Sequence, residues 1–154
     1  MDRTRNYGEE SPAVQAHLNI MQSVIQRMAA NSAASKGWCI VLVSAILVLV
    51  ADKGQPRYGL IATIPAALFL VLDAYYLALE RRFRDSYNDF INKLHRGEVI
   101  ASDLYAVTPA GPPVRTFFKA MGSFSVWPLY VTLLVTIAIA MAVIIPTGAQ
   151  PAGA

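Results

Sequence analysis

The sequence is poor in the residues that most often bind metals or carry out catalysis. Its 154 residues include one cysteine and two histidines, and charged residues make up only 15% of the chain. Cys39 has no partner for an internal disulfide, and it lies in an apolar run, where a cysteine behaves as a small hydrophobe. His17 and His95 are too few for a zinc site without further ligands. We therefore expect neither a metal nor a cofactor.

Catalytic motifs are missing as well. The sequence has no phosphate-binding glycine loop, no zinc motif and no triad spacing. The net charge of +3 is small, and the charges flank apolar stretches, which argues against nucleic acid as a partner. We expect a protein that is not an enzyme.

Apolar residues, in contrast, are abundant. The chain is 55% hydrophobic with a mean hydropathy of +0.43, which is typical of a membrane protein. Tyr58–Leu79 has 22 residues with Asp73 as its only charge, and as a helix it is about 33 Å long, enough to cross a bilayer. Trp38–Ala51 and Phe124–Ile145 are also apolar; we expect the first to be retained rather than cleaved as a signal peptide. The sequence predicts an all-α membrane protein with three transmembrane helices.

The first two spans are predicted to form a long antiparallel hairpin over residues 11–97, extended into the cytoplasm. Ser11-Pro12 is typical of a helix start and Gly97 of a helix end, while residues 52–57 hold the glycine, proline and charges of a turn. One arm is a cytoplasmic helix that continues into a span at about 34–51. The other arm is a span at 58–79 that continues into a cytoplasmic helix at 80–96.

The remaining segments are less regular. Residues 1–10 and 147–154 are expected to be flexible tails, and the third span to cover 124–146. Between the hairpin and this span, residues 98–123 contain three prolines and form a cytoplasmic or interfacial connector, part of which can lie along lipid headgroups.

Outside the spans, apolar residues recur every three or four positions on both arms, which is typical of a helix-packing seam. We expect this seam to pack the hairpin or an oligomer interface. Its residues are Leu18, Met21, Ile25, Met28, Phe83, Tyr87 and Phe90.

The orientation follows from the cations. Of the thirteen lysines and arginines, only Lys53 and Arg57 lie in the turn between the first two spans, and the others lie before residue 37 or within residues 80–119. The positive-inside rule then predicts the orientation of a multi-pass membrane protein. Its N-terminus would be cytoplasmic and its C-terminus periplasmic or extracellular.

Asp73 is the most informative single residue. A carboxylate within a span is costly and indicates a function or a partner. Folding the chain at residues 52–57 brings Lys36 level with it, so the two are predicted to form an intramembrane ion pair. An ion or proton path and a subunit interface remain alternatives.

Other residues near the span ends have two interpretations each. Three arginines can fix topology or bind lipid headgroups, and four aromatic residues are typical of an interfacial belt. The arginines are Arg81, Arg82 and Arg84, and the aromatic residues are Trp38, Tyr75, Tyr76 and Trp127.

Three motifs within about residues 18–92 are informative together: Ile25-x-Arg27-Met28-Ala29-x-Asn31-Ser32, then Lys36-Gly37-Trp38, then Asp73-Ala74-Tyr75-Tyr76-Leu77-x-x-Glu80-Arg81-x-Phe83-Arg84-x-x-Tyr87. This part of the chain resembles the RipA-like group of small bacterial inner-membrane proteins. The resemblance implies a location in a bacterial inner membrane and an octameric assembly.

Our leading hypothesis is a non-enzymatic homo-oligomer whose hairpins build a cytoplasmic platform, with membrane lipids and further copies of the chain as partners. The alternative is an oligomeric ion channel or a membrane-disrupting effector in stress or phage defence. A third hypothesis is a lipid-handling accessory subunit. Polar residues that face a central axis would favour conduction, whereas apolar residues there would favour a platform.

Overall fold

The computed structural model describes residues 7–147, which are helical and contain no strand, and the predicted all-α fold is confirmed for them. Residues 1–6 and 148–154, which make up most of the two predicted tails, lie outside the described residues. The helices are α1 (Pro12–Lys53), α2 (Thr63–His95), α3 (Pro113–Met121) and α4 (Trp127–Thr147), with short 3₁₀-helices at Pro56–Ala62 and Ala101–Asp103.

Glycines with positive φ end the two long helices where the sequence predicts. Gly54 (φ +60°) follows α1 and Gly97 (φ +69°) follows α2, in a conformation that glycine adopts without a steric penalty. The predicted turn at 52–57 is shorter in the structure, because α1 continues to Lys53. The second arm differs too: the stretch predicted as a regular helix from Tyr58 begins as a 3₁₀-helix, and α2 itself starts at Thr63.

The tighter 3₁₀-helix is tied to close packing. A Cβ atom added to Gly59 would lie 2.6 Å from Cγ of Met141 on α4, so only a glycine allows this approach. The third apolar segment also starts later than predicted. Helix α4 begins at Trp127 because Ser123–Val126 form a turn, in which the Ser123 carbonyl accepts hydrogen bonds from the Val126 and Trp127 N–H groups.

The chain forms two compact units, and α1 and α2 contribute to both. Within the described residues, the head unit consists of residues 7–31 together with Tyr75–Lys119. The apolar unit consists of Ser32–Ala74 together with residues 120–147.

The head unit has a core in which the connector covers the seam. Val14 and Met21 of α1 pack with Phe90 of α2, and Val99 and Leu104 of the connector complete the cluster. Tyr7 is partly buried against this core, and its N–H donates to the Val99 carbonyl at 3.1 Å, so the predicted loose tail does not include it.

Large hydrophobic side chains are exposed on the apolar unit, whereas the surface of a water-soluble protein rarely exposes them in large patches. By length and composition, α1 and the helical stretch Arg57–His95 are sufficient to cross a membrane, while the apolar stretch Trp127–Val143 is shorter. The side chains that are more than half exposed in this unit include Trp38, Val41, Val48, Leu49, Leu60, Ile64, Leu68, Ile139 and Val143.

Candidate functional site

A carboxylate is buried among the apolar helices of the apolar unit. The Asp73 side chain on α2 is 0% exposed, and its Oδ1 atom receives two donors from α1. Lys36 Nζ lies 2.6 Å from Oδ1, and Ser32 Oγ donates to the same oxygen at 2.5 Å. Lys36 Nζ also donates to Ser32 Oγ at 3.1 Å, so the three side chains form a closed triangle.

The local sequence explains this arrangement. Ser32 and Lys36 are four residues apart and therefore lie on one face of α1. Ser32 and Ser35 are both 6% exposed, and small side chains let neighbouring helices approach closely. The Lys36 side chain remains 24% exposed, so its stem reaches inward to Asp73 from the edge of the unit. The counter-charge of the carboxylate thus comes from one side only, that of α1.

The other carboxylate oxygen, Asp73 Oδ2, is buried and accepts no hydrogen bond from the described residues. The Tyr130 hydroxyl of α4 is close enough to interact electrostatically with Asp73, yet it donates to the Phe69 carbonyl at 2.9 Å. A hydroxyl can rotate its hydrogen between two nearby acceptors. Tyr130 of α4 can therefore complete the Asp73 site.

Tyr130 is not among the site residues that the sequence predicts. The available signal was a tyrosine that is one helical turn inside an apolar segment, where its hydroxyl needs a partner. Among the described residues, no three histidine, cysteine, aspartate or glutamate side chains are grouped in a way that could hold a metal ion. The counter-charge of Asp73 in the structure is an ammonium group, so the arrangement can hold helices together and keep a charge inside an apolar unit.

The predicted arginine cluster has intramolecular partners in the head unit. Arg84 Nη2 lies 2.8 Å from Glu80 Oε1, and Arg81 is half-buried. Arg82 donates from Nε to the Ala110 carbonyl at 2.8 Å and from Nη2 to the Pro109 carbonyl at 3.1 Å.

Ser86, one turn further along α2, holds the same segment of the connector. Its hydroxyl donates to the Thr108 carbonyl at 2.7 Å and accepts from the Ala110 N–H at 2.9 Å. We call these contacts of Arg82 and Ser86 with residues 108–110 the connector clasp. The clasp could not be predicted from the sequence, because backbone carbonyls have no sequence signature.

The predicted interfacial aromatic residues differ in exposure. Trp38 is 61% exposed, Tyr75 50% and Trp127 46%, while Tyr76 is half-buried. The rings of Tyr75 and Tyr76 meet edge to face with their centroids 5.6 Å apart.

The two histidines have separate partners. His17 is buried, its ring centroid lies 4.4 Å from that of Phe90, and its Nδ1 accepts the Tyr105 N–H at 2.9 Å. Burial lowers the pKa of His17, and the nearby Asp103 carboxylate only partly opposes this effect. His95 Nε2 instead lies 3.9 Å from Glu9 Oε1.

The seam residues are also unequal. Met21 and Phe90 are buried, whereas Leu18, Ile25, Met28, Phe83 and Tyr87 are half-buried.

No known protein family, curated protein or solved structure matches the chain.

Proposed function

We propose that the protein is a non-enzymatic, homo-oligomeric membrane protein of the bacterial inner membrane, with the head unit as a cytoplasmic platform. The distribution of polarity in the apolar unit supports this function. Its surface carries large hydrophobic side chains and its interior holds the Asp73–Lys36 pair. A charged group inside and an apolar surface outside are expected of helices surrounded by lipid.

Three spans are proposed, with α4 as the third. Helix α4 has 21 residues, which gives a length of about 31 Å. Its first turn contains Trp127 and Pro128, which suit a membrane interface and a helix start. The cations on α1, on α2 and in the connector orient the head unit toward the cytoplasm in this proposal.

The burial of Asp73 is the observation that most favours a platform over a channel. A conducting oligomer would need polar side chains that face a shared axis. Asp73, Ser32 and Ser35 are all below 10% exposed within a single chain, so they are already covered by their own helices. The channel remains the second candidate, because Asp73 Oδ2 accepts no hydrogen bond from the described residues.

Self-association is proposed through the part of the seam that the chain itself leaves uncovered. The connector covers Met21 and Phe90, which therefore stabilise the head unit. Ile25, Met28 and Phe83 stay half-buried and suit a second copy of the chain. The resemblance to the RipA-like group makes an octamer the expected assembly.

The topology is tested by reporters fused after Ala154. At this position, a reporter that works only in the periplasm should be active, and a reporter that works only in the cytoplasm should be inactive. The opposite result would rule out three spans with a cytoplasmic N-terminus.

The assembly is tested by measuring the mass of the purified protein in detergent. Ile25→Glu should lower the mass of the oligomer while the head unit stays folded. Met21→Glu should unfold the head unit, because it buries an unpaired charge. An unchanged mass for a folded Ile25→Glu protein would exclude this face as the interface. If vesicles that contain the wild-type protein conduct ions and vesicles that contain the Asp73→Asn protein do not, the channel would be favoured instead.

A further inference from the structure

An apolar pocket lies between α2 and α3 in the head unit. Its volume is about 210 Å³, and it is open at the surface. Tyr75, Leu79 and Arg82 line it from α2, and Pro113, Val114 and Phe117 line it from α3. None of these residues takes part in the Asp73 site, and the connector clasp uses only Arg82.

The lining offers almost no directional polar contact. Of the described residues that line it, Arg82 alone is charged, and its Nε and Nη2 atoms already donate to the Ala110 and Pro109 carbonyls. Sites for small soluble molecules usually hold several polar groups that fix the ligand's orientation. This pocket therefore suits a flexible hydrocarbon chain better than a polar metabolite.

The helix that forms one wall is strongly amphipathic. Val114 is 66% exposed and Phe118 is 64% exposed. Contact of such large apolar side chains with water is unfavourable. The same helix carries Arg115 and Lys119, both exposed, and contains no acidic residue. An apolar face beside cations is the pattern of a helix that lies in the headgroup region of an anionic membrane.

We propose that the pocket binds an acyl chain of an anionic phospholipid, with the lipid phosphate near Arg115 and Lys119. This inference rests on the proposed membrane function, which puts α3 at the cytoplasmic interface. The charges nearby on α2 support an anionic ligand, because Glu80 is already paired with Arg84 and the residues that line the pocket include Arg82 and no carboxylate.

The acyl-chain part of the proposal is tested on the purified full-length protein by native mass spectrometry. The probes are phosphatidylglycerol and phosphatidylcholine with identical acyl chains. Val114→Trp should fill the pocket and remove bound phosphatidylglycerol. Phe118→Trp is the matched control, because Phe118 lies on the same helix and does not line the pocket, and it should leave binding unchanged.

The headgroup part is tested by removing charge. Arg115→Gln combined with Lys119→Gln should weaken phosphatidylglycerol binding by about five-fold for each charge and leave phosphatidylcholine unaffected. Lys53→Gln combined with Arg57→Gln removes the same charge from the end of α1 and the 3₁₀-helix that follows it, and should have no effect. Circular dichroism and thermal unfolding show whether each variant is folded.

Three outcomes would overturn the proposal. The first is equal phosphatidylglycerol binding by wild type and a folded Val114→Trp protein. The second is equal affinity for the two lipids. The third is a change in oligomer mass on Val114→Trp with lipid binding unaltered, since a second copy would then occupy the pocket. The reporter fusions separate the two proposals: the expected topology without a lipid preference rejects only the lipid site, whereas the opposite topology rejects the three-span orientation that puts α3 at the cytoplasmic interface.

Discussion

Lys36 Nζ and Asp73 Oδ1 lie 2.6 Å apart although 37 residues separate them in the chain. The pair is asymmetric, because the Asp73 side chain is completely buried and that of Lys36 is 24% exposed. The lysine can therefore reach a more polar environment when its partner is removed, and the carboxylate cannot. The two partners should respond differently to mutation.

The first prediction follows from this asymmetry. Lys36→Met should lower the free energy of unfolding by about 3 kcal/mol, because it leaves a buried carboxylate without a counter-charge. Asp73→Asn should cost less. The double variant should be less destabilised than the sum of the two, which thermal unfolding in detergent measures. Additive losses would show that the two residues do not interact.

The second prediction concerns pH and His17. Since burial lowers the pKa of His17 below its ordinary value of 6.5, protonation favours the unfolded chain. The stability of the head unit should be complete above pH 6.5 and should fall as the pH drops below it. Protonated Nδ1 would also lose the hydrogen bond from Tyr105, which has a positive φ of 64°.

His17→Asn is the matched control for this effect, because its side-chain oxygen can accept the Tyr105 N–H and does not titrate. Thermal unfolding at pH 5.5 and 7.5 should show a smaller difference for this variant than for the wild type. The same pH dependence in both proteins would assign it to another group.

The third prediction separates geometry from charge at Arg82. Lysine keeps the charge of arginine and loses its planar pair of donors. If the connector clasp depends on the two carbonyl contacts, Arg82→Lys and Arg82→Gln should both destabilise it, each by about 1–2 kcal/mol. Faster tryptic cleavage within α3, at Arg115 and Lys119, would report the loosened connector. Wild-type resistance of Arg82→Lys would instead mean that Arg82 acts only as a topology charge.

The fourth prediction concerns Gly59. A methyl group at this position would collide with Met141, so Gly59→Ala should destabilise the apolar unit, and adding Met141→Ala should restore part of the loss. Gly37→Ala is the control, because Gly37 lies within α1 and an added Cβ atom there has no neighbour within 4 Å. It should be neutral or stabilising by up to about 1 kcal/mol. Equal effects of the two alanine substitutions would contradict the close contact at Gly59.

The sequence by itself determined the helical class, the ends of the two long helices and the level at which Lys36 meets Asp73. These features depend on local rules. Gly54 and Gly97 end helices through their own backbone freedom. Once the turn is known, the constant rise of two antiparallel helices fixes which residues are level.

Only the tertiary structure decided how the helices are rotated and what packs on them. It brought Tyr130 to Asp73, folded residues 98–110 over the apolar seam, and formed a pocket between α2 and α3. The helical period leaves rotation undetermined, and the clasp depends on backbone carbonyls that every residue possesses. Contacts of this kind are set by the packing of distant segments, and for that reason the sequence pattern did not reveal them.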